Sequence, residues 1–240
     1  METPFPSQHS RSAFDVLADR YDEWYESAEG AAVFREELAC LMAACPQRRG
    51  RWLEVGVGTG RFASALGIAE GIDPSPKMLE YAARRGVRTY TGTAEHLPFQ
   101  DASFGGVLIA LALCFVRDAR QTVRESARVL RPSGTMLLGI VPAGGPWGRL
   151  YAQKAAEGHP VYSLAAFRTV SEIVALAENA GFVLRESASS LFWNPGDTPA
   201  DKARIERRAA ENAGFAALRL ENRGIAHGFG PIPTEGRHDK

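Results

Sequence analysis

Residues 52–62, Trp-Leu-Glu-Val-Gly-Val-Gly-Thr-Gly-Arg-Phe, restrict the fold of this chain more than any other stretch. The apolar run from Trp52 to Val55 reads as a buried strand, and three alternate glycines, Gly56, Gly58 and Gly60, follow it at once. Glycine permits a tight turn and lets backbone approach a ligand with no Cβ in the way. A strand, a glycine turn and a helix start together place free backbone N–H groups at the mouth of a parallel sheet, where a small polar ligand can sit. The spacing is Gly-x-Gly-x-Gly, not the Gly-x-Gly-x-x-Gly that suits a pyrophosphate on a helix N-terminus. With Glu54 two residues before the first glycine, it favours a ligand presenting an ammonium over one presenting a phosphate. The plain alternative is a strand–helix connector without a ligand.

The flanking pattern alternates strands and helices. Hydrophobic periodicity and turn residues predict helices over 12–25, 31–44, 62–66, 74–85, 120–130, 150–157 and 167–180. Strands are predicted over 52–55, 68–73, 87–90, 105–113, 135–141, 182–193 and 215–220, with a turn at 131–134. This order gives an α/β, doubly wound, mostly parallel sheet with right-handed crossovers. One domain spans 1–222, with a helical segment at 14–45 and an irregular insertion at 142–180; the Gly- and Pro-rich tail, 223–240, reads as loosely held. In the first helix Ser12 is a plausible N-cap, and Phe14, Tyr21, Trp24 and Tyr25 cluster among acidic residues. That helix is either packed on the domain or a mobile aromatic lid whose charged face keeps it soluble when open.

Asp73 ends the second strand 17 residues after the first glycine, close to the ~20 at which a doubly wound fold places the acid that binds a ribose diol. The same residue also reads as the N-cap of the next helix. Met78, one turn into that helix, can lie flat on a purine or simply fill core.

Bulk properties exclude several classes. Lys+Arg and Asp+Glu are equal at 28 each, so no global field attracts nucleic acid or an anionic membrane. No apolar run reaches the ~18–20 residues of a membrane span, and residues 1–12 lack an apolar signal core, so a cytoplasmic location is expected. Cys40, Cys45 and Cys114 form no Cys-x-x-Cys pair, and the histidines are scattered, so no metal site is expected.

Taken in order, Leu-Glu-Val-Gly-Val-Gly-Thr-Gly, Gly-Ile-Asp-Pro-Ser-x-x-Met-Leu, Gly-Thr-Ala-Glu-x-Leu-Pro-Phe, Asp-x-Ser-Phe and Arg-Val-Leu-Arg-Pro-Ser-Gly resemble the motifs of class I S-adenosylmethionine-dependent methyltransferases. The similarity is to the small-molecule branch that includes the quinone-biosynthesis C-methyltransferases, and it runs from about residue 14 to 220. It implies a seven-stranded Rossmann-like sheet with an antiparallel last strand, and S-adenosyl-L-methionine as cofactor with S-adenosyl-L-homocysteine as product. It further implies that Gly56, Gly58 and Gly60 pass close to the methionine part, with Glu54 near its ammonium. Asp73, beside Pro74 and Ser75, would take the ribose hydroxyls and Met78 would pack on adenine. Thr93, Ala94 and Glu95 would edge the adenine, though many relatives carry Asp where Thr93 stands. Leu111 would contribute backbone, and Tyr21 would reach the cofactor from the lid.

Methyl transfer from a sulfonium is an in-line displacement with a good leaving group, so alignment and a dry cavity are the main demands. Leu111-Ala112-Leu113-Cys114-Phe115 offers none of the polar clamp that nucleobase or amide acceptors need. The expected acceptor is a small molecule with a C-, O- or S-nucleophile, such as an enolate, phenolate or thiolate. Candidate bases are Tyr151, His159 and Tyr162, and candidate pocket residues are Trp24, Cys114, Phe115, Trp147 and Trp193. Cys114 reads as a small buried hydrophobe before a nucleophile. Three other readings share part of the pattern. A non-catalytic S-adenosylmethionine-binding protein would keep the motifs; an NAD-dependent oxidoreductase would want the longer glycine spacing and a proton donor; a nucleic-acid methyltransferase would want a basic face.

Overall fold

The glycine turn stands between a fully buried strand, β1 (Trp52–Val55), and a short helix, α3 (Arg61–Leu66). A computed structural model describes residues 7–45, 47–199 and 202–224, with side chains from residue 13 onward. Two helices precede the turn, α1 (Ser7–Trp24) and α2 (Ala28–Ala44). After it come β2 (Glu70–Asp73), α4 (Pro76–Arg84), β3 (Arg88–Thr91), β4 (Phe104–Ala110), α5 (Ala119–Val129) and β5 (Leu130–Ile140). The chain continues through α6 (Pro146–Ala156), a 3-10 turn (Tyr162–Leu164), α7 (Val170–Glu178), β6 (Phe182–Ser190) and β7 (Phe215–Asn222).

The strands form one sheet in the order β3-β2-β1-β4-β5-β7-β6. Strands β1 to β5 pair in parallel, and β7 runs antiparallel to both of its neighbours. The mostly parallel sheet with an antiparallel last strand is as the sequence predicts. Crossovers leave β1 toward β2 on one side while β4 lies on the other, so a crevice opens at the C-terminal ends of β1 and β4.

Side chains alternate across the sheet, as strand geometry requires. Leu53, Val107, Ile109, Met136 and Leu138 pack into one layer with Val123 of α5 and Ile173 of α7. Trp52, Leu108, Leu137 and Ala217 pack into the other with Leu41 of α2, Phe62 of α3 and Leu79 of α4. Burial on both faces explains the continuous apolar runs. The parity puts Glu54 on the same face as Trp52, under α2 and α3.

Several boundaries differ from the prediction, each for a local reason. Helix α1 starts at Ser7, so Ser12 lies inside it and caps nothing. Helix α2 begins earlier, because the Ser27 side chain accepts the N–H of Gly30. Pro146 occupies the first turn of α6, which moves that helix four residues ahead. A capping box between Thr169 and Glu172 fixes the start of α7. Strand β4 stops at Ala110 because Leu111 takes a left-handed φ of 57°. Residues 131–134 belong to β5, with Ser133 at φ 60°. Of the predicted loose tail, 225–240 lie outside the described residues.

Among the described residues, no helix is long and apolar enough to cross a membrane. Nor do three His, Cys, Asp or Glu side chains stand together for a metal there.

Candidate active site

The turn is held from below by Ile72, whose carbonyl accepts the N–H groups of Gly56 at 2.8 Å and Val57 at 3.0 Å. Asp73 holds it from the side: Oδ2 accepts from Gly58 N–H and Oδ1 from Ser75 N–H, both at 2.9 Å. The cap of α4 is Ser75, whose Oγ accepts the Met78 N–H at 3.2 Å. Asp73 is therefore the acid at the strand tip and not the helix cap. Burial raises its pKa to about 6, while the two backbone bonds pull the other way.

The glycines are needed for different reasons. A Cβ on Gly60 would lie 2.8 Å from the Cα of Ala82 in α4, and one on Gly56 would run into Ala112 after β4. A Cβ on Gly58 would meet nothing within 4 Å, although its φ of +51° is left-handed. The turn is thus wedged at both ends and open in the middle, on the side where a ligand would approach. Gly60→Ala should lower the unfolding free energy by about 2–4 kcal/mol through clash plus left-handed strain, whereas Gly58→Ala should cost only about 1–2 kcal/mol of strain. Urea unfolding of the two variants checks the order; equal losses would mean that the turn is uniformly packed.

Beneath the turn, Glu54 is 1% exposed; its carboxyl accepts the Ala63 N–H, and Oε2 has no partner. Burial pushes its pKa well above the ordinary carboxylate value. Met78 is buried in α4. Leu111 bends the chain away from β4 while its N–H stays on the Gly139 carbonyl at 2.8 Å. Pro74 and Ala94 are half-buried and Thr93 is exposed. Glu95 is engaged within the protein, accepting from Arg117 N–H at 2.7 Å and Asp118 N–H at 3.2 Å ahead of α5.

Helix α1 lies across this rim through its acidic side. Asp15 accepts from the Ser75 hydroxyl, Asp19 accepts from Tyr81 at 2.6 Å, and Asp22 pairs with Arg61 at 2.9 Å and Arg85 at 2.8 Å. Burial pushes the Asp22 pKa up, but the bonds from Arg61 and Arg85 outweigh it and hold the carboxyl below its ordinary value. The charged face expected to keep this helix soluble when open is here engaged: Asp15, Asp19 and Asp22 dock it on α3 and α4. At the far end Phe14 meets Phe115 edge-on, with centroids 5.1 Å apart.

The other side of α1 is turned inward, with Ala18 and Tyr25 buried. Tyr21 and Tyr25 share a hydroxyl contact at 3.2 Å, and Trp24 stands edge-on to Tyr25. Opposite them Tyr151 and Tyr162 stack with centroids 4.2 Å apart. Burial raises both of these phenols, so at neutral pH they are hydroxyl donors and not bases. His159 packs on Tyr162, and its Nδ1 accepts from the N–H groups of Val161 and Tyr162 at 3.3 and 3.4 Å, which commits that nitrogen to the local turn. Burial lifts the Cys114 thiol to about 12, which leaves it unreactive, with Sγ 3.5 Å from the Leu111 carbonyl. Trp147 is buried and donates to the Trp193 carbonyl; Trp193 donates in turn to Glu36 at 2.9 Å. Those two indoles fasten α6 and the end of β6 to α2.

One residue here has no counterpart in the sequence reading. Glu37 of α2 is 3% exposed and its Oε2 has no partner; burial raises its pKa to about 8. It occupies the buried stripe Val33, Glu37, Cys40, Leu41 and Ala44, whereas Met42 of the same helix is 48% exposed. The signal available in the sequence was an acid standing at a core-facing helical position. Two clefts of about 610 and 550 Å³ lie at the opposite, N-terminal edge of the sheet, around Arg51, Trp52, Glu70 and Gly105, away from these groups.

Residues 53–138 match a family model described as a methyltransferase domain. A solved structure from Thermotoga maritima, described as a SAM-dependent methyltransferase and possible histamine N-methyltransferase, superposes with a TM-score of 0.80 at 31% identity, covering 90% of this chain and 100% of that one. The chain belongs to the S-adenosylmethionine-dependent methyltransferases. An uncharacterized protein of Mycobacterium tuberculosis is 38% identical over 216 residues, 90% of this methyltransferase and 76% of the relative. A demethylmenaquinone methyltransferase of Mycobacterium sp. is 30% identical over 215 residues, 88% and 87% of the two chains. The family implies S-adenosylmethionine, and the residues fit it: a glycine turn open at Gly58, a strand-tip carboxylate at Asp73 and an unpartnered carboxyl oxygen on Glu54.

Proposed function

We propose that this methyltransferase methylates a small molecule, which sits in the tyrosine-lined space beneath α1, beside the cofactor crevice. The observation that carries the reading is the turn held by Asp73 and left open at Gly58, with α1 docked across its rim. In this reading Gly56, Gly58 and Gly60 bring backbone close to the methionine part, and Glu54 lies under its ammonium. Asp73 accepts from the ribose diol, Met78 supports the adenine, and Ala94 and Leu111 close its edges. When bound, S-adenosylmethionine supplies a methyl on a sulfonium that needs little activation. The protein then contributes alignment and exclusion of water. Helix α1 supplies the second, and an aromatic face such as that of Tyr21 can stabilise a desolvated cation by about 0.5–2 kcal/mol. The names of two relatives, a demethylmenaquinone methyltransferase and a possible histamine N-methyltransferase, support a small acceptor.

Two measurements test this. Calorimetric titration should give heat with S-adenosylhomocysteine and none of comparable strength with NAD; the reverse result overturns the reading. Amide hydrogen exchange should show residues 14–25 gaining protection when S-adenosylhomocysteine binds, because their hold on α3 and α4 is made of polar contacts that can open. Full protection without ligand, unchanged on binding, would make α1 a fixed part of the domain.

A further inference from the structure

We propose that the acceptor of this methyltransferase carries a protonated amine and that Glu37 is the group which binds it and takes its proton. This rests on the reading of the enclosed space beneath α1 as the acceptor site, and it adds nitrogen to the acceptor atoms the sequence suggested.

The argument starts from an unbalanced interior. Glu37 is 3% exposed, and its Oε2 makes no hydrogen bond. A buried polar atom without a partner is costly, and a buried carboxylate more so, unless a cation or donors complete it. Nothing among the described residues does: burial is the cause acting on its pKa, with no bonding partner or cation drawing it back down. Glu36, its sequence neighbour, shows the contrast, accepting from Leu191 N–H and the Trp193 indole, both at 2.9 Å. Two adjacent acids on one helix thus face inward, one fully satisfied and one left open.

The surroundings of Glu37 identify what would complete it. Its charge acts on Tyr21 and Tyr25 at the end of α1, on Tyr151 of α6, on Tyr162 of the 3-10 turn, and on Cys40 of its own helix. Burial keeps the tyrosines and the thiol neutral. A carboxyl among phenol rings is the setting that suits an organic ammonium, which bonds to the acid and lies against the ring faces. Tyr21 also feels Glu54, a second buried acid with one oxygen left unpartnered. Two buried carboxyls therefore act on the one phenol of Tyr21. One of them, Glu54, lies under the glycine turn, where the ammonium of the cofactor is placed. The other needs a second cation, and the acceptor is the ligand left to bring it.

The chemistry closes. An ammonium has no free pair and must lose a proton before it can accept a methyl group. Glu37 as carboxylate takes that proton and becomes the neutral acid. The amine nitrogen then forms the new N–C bond with its freed pair as the C–S bond breaks, the pair of that bond remaining on sulfur. The product leaves as the methylated ammonium. A carboxyl whose pKa lies near neutrality can do this without a steep cost in either direction.

The test uses the full-length protein saturated with S-adenosylhomocysteine, so that no turnover occurs. Calorimetry compares 2-phenylethylamine, tyramine, tryptamine and histamine with 2-phenylethanol, tyrosol, tryptophol and the alcohol analogue of histamine. At least one amine should bind about tenfold or more tighter than its alcohol, the size of effect expected from a charge-assisted bond. Titration in buffers of different ionisation enthalpy should show close to one proton released per amine at pH 7, as Glu37 ionises on binding. In Glu37→Gln both the preference and the proton release should vanish while S-adenosylhomocysteine still binds. Alcohols binding as well as amines, a glutamine variant that keeps the preference, or no response from any of the eight compounds would overturn the proposal. Absence of S-adenosylhomocysteine binding would instead bring down the cofactor reading beneath it.

Discussion

Asp73→Ala should bind S-adenosylhomocysteine at least tenfold more weakly than the unaltered protein, and it should also unfold more easily. The first effect follows from the place of Asp73 at the strand tip, where a doubly wound fold binds a ribose diol. The structure shows that its two oxygens already accept from Gly58 and Ser75 N–H groups. Alanine leaves those two donors without a partner, at about 1–3 kcal/mol each where water cannot reach them. Asp73→Asn separates the contributions, because its one oxygen can still hold one of the two donors. That variant should regain part of the lost stability and stay weak in binding, since its amide nitrogen cannot accept from a hydroxyl. Proton linkage gives an independent check. With a pKa of about 6 in the free protein, Asp73 is neutral in acid and ionised at neutrality. A diol that donates to it favours the ionised form, so affinity should fall by up to about tenfold for each pH unit below 6. Affinity that is level from pH 7.5 to pH 5, with normal binding by both variants, would leave Asp73 as a brace for the turn and nothing more.

What the sequence disclosed depended on how local the cause was. The glycine turn, the acid at Asp73 and the apolar strands were legible because each rests on a few neighbouring residues, the strands on continuous apolar runs. The caps at Ser27 and Thr169 are just as local, and the Thr169–Glu172 pair is written as Thr-x-x-Glu; the apolar periodicity running past it sets the predicted start too early. The orientation of α1 was not legible. Its aspartates look like a water-facing side until Arg61 and Arg85 are brought to them from far along the chain. Glu37 was hidden for the same reason. In a list of residues a Glu-Glu pair marks the polar side of a helix, and only the packing of α2 over the antiparallel end of the sheet turns both acids inward. The proposed acceptor side is therefore the least readable part, since its groups come from four separate segments with no shared spacing.

In Glu37→Gln, the loss of stability that the ligand-free protein should suffer as pH rises through neutrality should be reduced. Glu37 has a pKa of about 8 when folded and the ordinary value near 4.5 when unfolded. Below the unfolded value both states carry the proton, and the group is indifferent to pH. Between the two values the unfolded chain ionises while the folded chain holds its proton, so the native state binds more protons and rising pH favours unfolding. The loss is about 1.4 kcal/mol per pH unit from such a group, a large share of the roughly 5–15 kcal/mol that holds a domain folded. Above pH 8 the loss stops growing. Glu54, also raised by burial, adds to the slope in both proteins. Asp22, Glu70 and Glu125, held low by arginine partners, act in the opposite sense but only below the ordinary carboxylate value, outside this window. Comparing the variant with the parent cancels every group but Glu37. Urea unfolding at pH 5.5, 6.5 and 7.5 should show the glutamine protein gaining on the parent by about 1 kcal/mol or more per unit. A difference that stays level over that range would mean that Glu37 ionises freely in the native state, which requires water or a cation already at its Oε2.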